Sequence, residues 1–349
     1  MMSTPAIVIG RRRIAADEPA YVIAEIGVNH NGSADLAHRM IDSAKAAGAD
    51  AVKFQTYRTD ALVVASAAKA SYQKQTTGDG DQSSMLRALE LPFEVFAELK
   101  RHCEEAGIDF LSTAFDPESL DFVASLKPVS LKWPSGELNN RTLLEQARRS
   151  GLPVLLSTGM GTLAEVEAAL GWLGQEAQVV ILQCVSNYPA RIEDQNLRVL
   201  PTMSTAFRRP VGFSDHTVGP YAALAARALG MSVLEKHFTL DRSMAGPDHS
   251  ASIEPDDFRQ MVSLLRQVEA GLGDGVKRPT ASEADVRAVA RKSLVFTRDL
   301  SSGHMLQAGD LTAKRPASGI SPEKADQFIG RILGRDVQAD GLLRYDDVR

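Results

Sequence analysis

The sequence predicts a (β/α)8 (TIM) barrel followed by a small C-terminal module. Three observations carry this. From Tyr21 to about Leu272, an apolar run, a polar turn, an amphipathic helix and a glycine succeed one another, and the cycle supplies eight apolar runs. Gly48, Gly107, Gly151 and Gly230 each stop a helical pattern just before the next run, where a left-handed cap is needed. The span, about 250 residues, suits such a barrel. An open doubly wound sheet would instead require a reversal of strand order.

The elements follow in order. Tyr21-Val22-Ile23-Ala24 reads as the first strand, ending at Glu25. Ser33 then caps a helix with Leu36, Met40, Ile41 and Ala44 on one face. Ala51–Gln55 is the second strand. A helix over Phe93–Ala106 leads to the third, Ile108–Leu111, and Asp116-Pro117 caps a short helix before the fourth, Val129–Lys132. Asn140 opens a helix carrying Leu143, Leu144 and Ala147, and Val154–Leu156 follows. Thr162 and Glu165 form a capping box ahead of Val179–Leu182. Val211–Ser214 and Ser232–Lys236, joined by an Ala/Leu-rich helix, complete the eight, and a last helix runs from Pro255 to about Leu272.

Two stretches break the rhythm. Residues 58–90 are polar and rich in Ser, Thr, Gln and Gly, which suits either a lid over the barrel mouth or a plain surface insertion. Residues 273–283 are turn-rich, and beyond them the alternation ends. The expected division is therefore a barrel over 1–272, a linker over 273–287 and a module over 288–349. Within that module Ser293–Phe296, Leu311–Lys314 and the fragment around Ile332-Leu333 read as short strands. A module of this size is marginal alone and should lean on another surface.

Composition narrows the class. The 349 residues are 44% hydrophobic and 24% charged, with net charge −5. That balance fits no nucleic-acid footprint, and Arg11-Arg12-Arg13 reads as a solvated edge. Cys103 and Cys184 have no paired spacing, which fits a reducing compartment. No apolar run approaches the ~18 residues of a membrane span. A cytoplasmic location, with no membrane partner, is expected.

In a barrel, residues at the carboxyl ends of the strands share one face. They include Glu25, Lys53, Gln55, Thr113, Lys132, Ser135, Glu137, Ser186, Asn187, Tyr188, Ser214, His216 and His237. Two lysines with hydroxyl groups suit a substrate bearing phosphate and carboxylate. Glu25 and Glu137 serve proton transfer or simply pair with the lysines. His216 and His237 lie one strand–helix–strand unit apart, so both imidazoles should reach the same rim as a divalent-metal seat or as ordinary structural histidines. Glu235 and Lys236 read as a local pair. Gly159-Met160-Gly161 lacks a dinucleotide-binding continuation.

Six motifs resemble those of the sialic acid synthase family: AEIGVNHNG (24–32), AVKFQ (51–55), LKWPSGE (131–137), SDHT (214–217), EKHFTL (235–240) and GPDH (246–249). The tail, from Ala290-Arg291-Lys292-Ser293 to Lys314-Arg315-Pro316, is similar to that family's antifreeze-like (SAF, β-clip) domain. The resemblance implies condensation of phosphoenolpyruvate with N-acetylmannosamine, giving N-acetylneuraminate and phosphate. The alternative acceptor is 2,4-diacetamido-2,4,6-trideoxymannose, giving N,N'-diacetyllegionaminate.

It also implies roles for individual residues. His216 and His237 would hold Mn2+ or Mg2+. Lys53, Thr113, Lys132, Ser135, Ser186, Asn187 and Ser214 would hold phosphoenolpyruvate. Glu25, Gln55, Tyr188 and Asp248 would lie near the sugar, and Glu137 would handle a proton. Arg315 would reach the sugar from the partner subunit of a domain-swapped homodimer. Trp133, Gln183 and Ala317 depart from the family pattern. Two readings from other classes are a metal-dependent barrel hydrolase, acting without phosphoenolpyruvate, and a carbohydrate- or ice-binding protein. The dense polar rim argues against the second.

Overall fold

The computed structural model describes residues 5–349, apart from the side chains of Ser71, Tyr72 and Gln75. It divides into two compact units, Met1–Gly273 and Asp274–Arg349. In the first, an antiparallel hairpin of β1 (Ile7–Ile9) and β2 (Arg12–Ile14) precedes the repeating part. The strands that follow are β3 (Tyr21–Gly27), β4 (Ala51–Thr56), β5 (Asp109–Ala114), β6 (Leu131–Trp133), β7 (Val154–Ser157), β8 (Val179–Cys184), β9 (Val211–Asp215) and β10 (Val233–His237). Among the described residues these eight parallel strands close into a barrel in chain order, with β10 returning to β3.

Successive side chains of a strand alternate between faces, so each barrel strand divides into an inner and an outer set. The outer set packs against the helices. Val22, Ala24 and Ile26 of β3 join Met40 and Ile41 of the helix Ala34–Ala46 in one large cluster. Ser33 begins that helix by accepting from Leu36 N, and Thr162 with Glu165 forms the expected capping box on Leu163–Leu173. Trp133 belongs to this outer layer, almost wholly buried, with its Nε1 donating to Glu137 O.

The inner set forms a second cluster at the amino end of the barrel: Tyr21, Ile23, Ala51, Leu111, Leu155, Val180, Leu182 and Val233. Ile7, Ile9 and Ile14 of the hairpin join it and plug that end. Arg12, expected on a solvated edge, pairs with Asp50 at 2.7 Å. Gly212 lies within the inner set because a Cβ there would sit 2.3 Å from Leu182 Cδ2 and 2.7 Å from Val233 O. The amino end is thus filled and apolar, and the carboxyl end is left for polar groups.

Several segments differ from the expectation. The insertion at 58–90 carries the helices Thr59–Leu62, Ser71–Thr77 and Gln82–Leu89. The last is started by Asp81, whose side chain accepts from Ser84 N. The stretch read as linker runs into a helix, Ala284–Ala290, that continues past residue 287. In the second unit β11 (Ser293–Phe296) pairs antiparallel with β12 (Leu311–Lys314), while Ile332 and Leu333 make isolated bridges. Its own core gathers Leu294, Phe296, Leu306, Phe328, Leu333 and Leu343.

Candidate active site

The inward residues at the carboxyl end are polar, and register brings them level. Glu25 stands beside Lys53, Gln55 beside Thr113, and Thr113 beside Lys132. Cys184 and Glu235 both flank Ser214, and His237 closes the ring against Glu25. They line a cavity of about 270 Å3.

Four buried charged groups form its floor. Lys53 Nζ lies 2.9 Å from Glu25 Oε1 and 3.9 Å from Glu235 Oε2, and donates to Thr113 Oγ1 at 2.8 Å. Lys132 Nζ lies 3.5 Å from Glu235 Oε1, which also accepts from Ser214 Oγ at 3.0 Å. Gln55 Nε2 donates to Glu25 Oε1 at 3.1 Å, leaving Glu25 Oε2 buried and unpartnered among the described residues.

Burial penalises the charged forms of Glu25, Glu235 and Lys132, and the neighbours decide the outcome. Glu25 is pushed up to about 7 by burial, against the pull of Lys53. Burial would raise Glu235 too, but Lys132 and Lys53 bring it down to about 2. Burial lowers Lys132, with Glu235 opposing. Asp248, also in the lining, is raised to about 6 by burial, with Lys53 opposing. Near neutrality the pocket therefore holds one firmly ionised carboxylate between two lysines and two carboxyl groups that take up protons easily. It is a ready seat for an anion.

The two imidazoles meet at the rim. His216 and His237 have ring centroids 5.4 Å apart, and Tyr188 lies against both at 4.2 Å and 5.5 Å. His216 Nδ1 stands 2.7 Å from Val185 O, and a carbonyl only accepts, so Nδ1 carries the proton and Nε2 keeps its lone pair. His237 Nδ1 is buried without a partner among the described residues. Burial lowers both rings, His237 further because His216 and Lys53 lie near, so both are neutral at pH 7. Two neutral imidazoles with a free lone pair fit a divalent cation. Among the described residues no group of three or more His, Cys, Asp or Glu could hold a metal ion.

Of the residues expected here, Glu25, Lys53, Gln55, Thr113, Lys132, Ser135, Ser186, Tyr188, Ser214, His216, His237 and Asp248 line the cavity. Three do not. Glu137 ends the short turn Ser135–Glu137, and its carboxylate accepts from Asn140 Nδ2 at 2.6 Å. Asn187 is exposed, its Oδ1 accepting from Tyr188 N. Arg315 belongs to the second unit, exposed, with Nε donating to Ala290 O at 3.0 Å.

Sequence reasoning missed Glu235, Ser157 and Cys184 as lining residues. Glu235 was read as a local partner of Lys236, but alternation sends the two to opposite faces. Lys236 pairs outside with Asp215 at 2.8 Å. Ser135 Oγ links the floor by accepting from Gly159 N at 2.9 Å and lying 3.1 Å from Cys184 Sγ. A further wall is apolar: Met85, Leu86 and Leu89 from the insertion, with Val28 and Phe115.

Comparison with known proteins places the chain in a family. The NeuB family matches residues 40–277 and the SAF domain residues 291–349. The chain is 41% identical over 328 residues to the N,N'-diacetyllegionaminic acid synthase of Campylobacter jejuni, covering 93% of this chain and 98% of that protein. It is 41% identical over 335 residues to the N,N'-diacetyllegionaminic acid synthase of Legionella pneumophila, 94% of each. Among solved structures, the N-acetylneuraminic acid (sialic acid) synthetase of Leptospira borgpetersenii in complex with citrate is similar with a TM-score of 0.73 at 33% identity. That likeness covers 81% of this chain and 95% of that one.

Proposed function

The chain belongs to the NeuB family of sialic acid synthases and carries a SAF domain, and on that premise we propose that it condenses phosphoenolpyruvate with an N-acetylated mannosamine-type sugar, forming a nine-carbon 2-keto acid and phosphate. The observation that carries the reading is the floor of the cavity. Two lysines, Thr113 and Ser214 converge there around a single strongly ionised carboxylate, a donor set for the phosphate and carboxylate of phosphoenolpyruvate. Ser135 and Ser186 add hydroxyl donors, and Asn187, exposed beside Tyr188, would join them only from outside that lining.

His216 and His237 would hold a divalent cation, manganese or magnesium, and a cation there supplies Lewis-acid polarisation of the open-chain sugar's aldehyde. This chain's residues do the rest. Lys53 and Lys132 bind and orient phosphoenolpyruvate so that its C3 forms the new bond to the aldehyde carbon. Water then adds at C2, and the tetrahedral intermediate breaks its C–O bond to release phosphate. Glu25, whose carboxyl changes protonation near neutrality, is placed to move a proton at this step. Glu137 would take part only from outside the lining described above.

For the acceptor, 2,4-diacetamido-2,4,6-trideoxymannose is favoured over N-acetylmannosamine. The apolar wall of Met85, Leu86 and Leu89 suits a 6-deoxy methyl and a second acetamido methyl, and both curated relatives at 41% identity are N,N'-diacetyllegionaminic acid synthases. N-acetylmannosamine remains the second reading, supported by the likeness to the sialic acid synthetase. Gln55, Tyr188 and Asp248 would face the sugar, with Arg315 supplied by the partner of a domain-swapped homodimer. Two buried, unpaired cysteines fit a cytoplasmic setting, and among the described residues no helix is long and apolar enough to cross a membrane.

The test is incubation with phosphoenolpyruvate, manganese and each sugar in turn, following phosphate and keto acid. Equal yields of both products, with the trideoxy sugar the better substrate, are expected. No phosphate with either sugar would return the hydrolase or binding readings.

A further inference from the structure

Asp248 reaches the cavity on an irregular loop between β10 and the helix Pro255–Leu272, yet it is buried and carries no charged partner within ion-pair distance among the described residues. Something other than regular secondary structure must hold it. The bonds converge on one side chain. His249, fully buried, lies with Nδ1 2.7 Å from Thr239 Oγ1 and Nε2 3.2 Å from Asn31 Oδ1. Asn31 sits in the turn after β3 and donates from Nδ2 to Ala245 O at 2.9 Å, which fixes which end of its amide faces the ring. Oδ1 only accepts, so His249 Nε2 must carry the proton and Nδ1 accepts from the Thr239 hydroxyl. Burial lowers the ring, in keeping with this neutral form.

The neighbours leave no slack. Gly246 stands so close that a Cβ would come 2.6 Å from His249 Cδ2 and 2.9 Å from Asn31 Oδ1. On the far side Asn29 Nδ2 donates to Phe238 O and Ser252 Oγ, each at 2.9 Å, and Ser252 Oγ donates to Asp248 O at 2.7 Å. The turn after β3 thus grips the 238–253 loop at two points, on either side of Asp248. We propose that His249, bridging Asn31 and Thr239, is the positioning residue that sets Asp248 against the sugar. This rests on the reading that Asp248 faces the sugar.

The experiment is steady-state kinetics with phosphoenolpyruvate, manganese and 2,4-diacetamido-2,4,6-trideoxymannose, with N-acetylmannosamine run in parallel. The variants are His249→Ala, His249→Gln, Asn31→Gly and Asp248→Asn. Asn31 has φ +50°, which glycine adopts without strain, so Asn31→Gly removes the bond and keeps the turn. Expected are sugar KM values raised about tenfold in His249→Ala and Asn31→Gly, the scale of one lost buried hydrogen bond. The KM for phosphoenolpyruvate should stay within about twofold. His249→Gln, whose amide nitrogen replaces Nε2, should recover part of the loss. A raised sugar KM in Asp248→Asn with ordinary values in the other variants overturns the positioning role alone. An ordinary sugar KM in Asp248→Asn removes the premise and the inference with it. Equal worsening of both KM values, tracking a fall in Tm, would make His249 merely structural and also overturn it.

Discussion

Lys53 Nζ lies 2.9 Å from Glu25 Oε1, with neither side chain more than 4% exposed, yet Glu25 is pushed up to about 7. Burial wins because the ammonium is shared with Glu235, which the two lysines hold at about 2. The linkage has a definite sign. A carboxyl raised from 4.5 to about 7 contributes stability that is full below pH 4.5 and is lost as pH rises through 7. Glu25→Gln removes that loss. Its stability relative to the parent should climb between pH 5 and pH 8 in urea titrations. A difference that stays flat over that range would contradict the raised carboxyl.

His216→Ala and His237→Ala should each abolish phosphate release even with excess manganese, while Tm in the absence of metal changes little beyond the loss of packing. Phosphate assays and thermal melts on both variants check this. Activity surviving in both removes the metal role.

The apolar wall predicts acceptor choice. Leu86→Asn should raise KM for the trideoxy sugar, since a substrate methyl against a hydrophobic surface is worth about 1–3 kcal/mol. KM for phosphoenolpyruvate should hold. Equal KM values for the sugar in parent and variant would place its methyl elsewhere.

Arg315 predicts complementation. If it serves the partner's barrel, mixing inactive Lys53→Ala with impaired Arg315→Ala and allowing subunit exchange rebuilds one intact site per heterodimer. Activity should rise above that of either variant alone. No gain after exchange is verified would put Arg315 in its own barrel or out of the reaction.

The barrel was legible because its signals are local: apolar runs for strands, Ser, Asp, Asn and Thr caps for helices, and glycines such as Gly107, at φ +67°, for their ends. Most of the site was legible for the same reason, since strand ends of a barrel face one mouth. What was missed needed period-two bookkeeping. Glu235 and His237 share a face and Lys236 does not, which the alternation alone would have shown. The β1–β2 hairpin went unread although Ile7 and Ile9 share one strand face and Gly10-Arg11 makes a turn ahead of Ile14. The helix Gln82–Leu89 hid behind a polar first turn, with its apolar residues Met85, Leu86 and Leu89 crowded into the second half. The grip of Asn31 on His249 joins residues 218 apart, and no local pattern marks it.

The proposed reaction joins phosphoenolpyruvate to a sugar in the cavity with cleavage of the C–O bond. Phosphoenolpyruvate labelled with 18O at the bridging position tests it directly, with the phosphate analysed by mass after turnover with the trideoxy sugar and manganese. The label should appear in phosphate, and only when sugar is present. Label retained in the organic product would mean P–O cleavage, and phosphate released without sugar would mean simple hydrolysis; either result contradicts the proposed condensation.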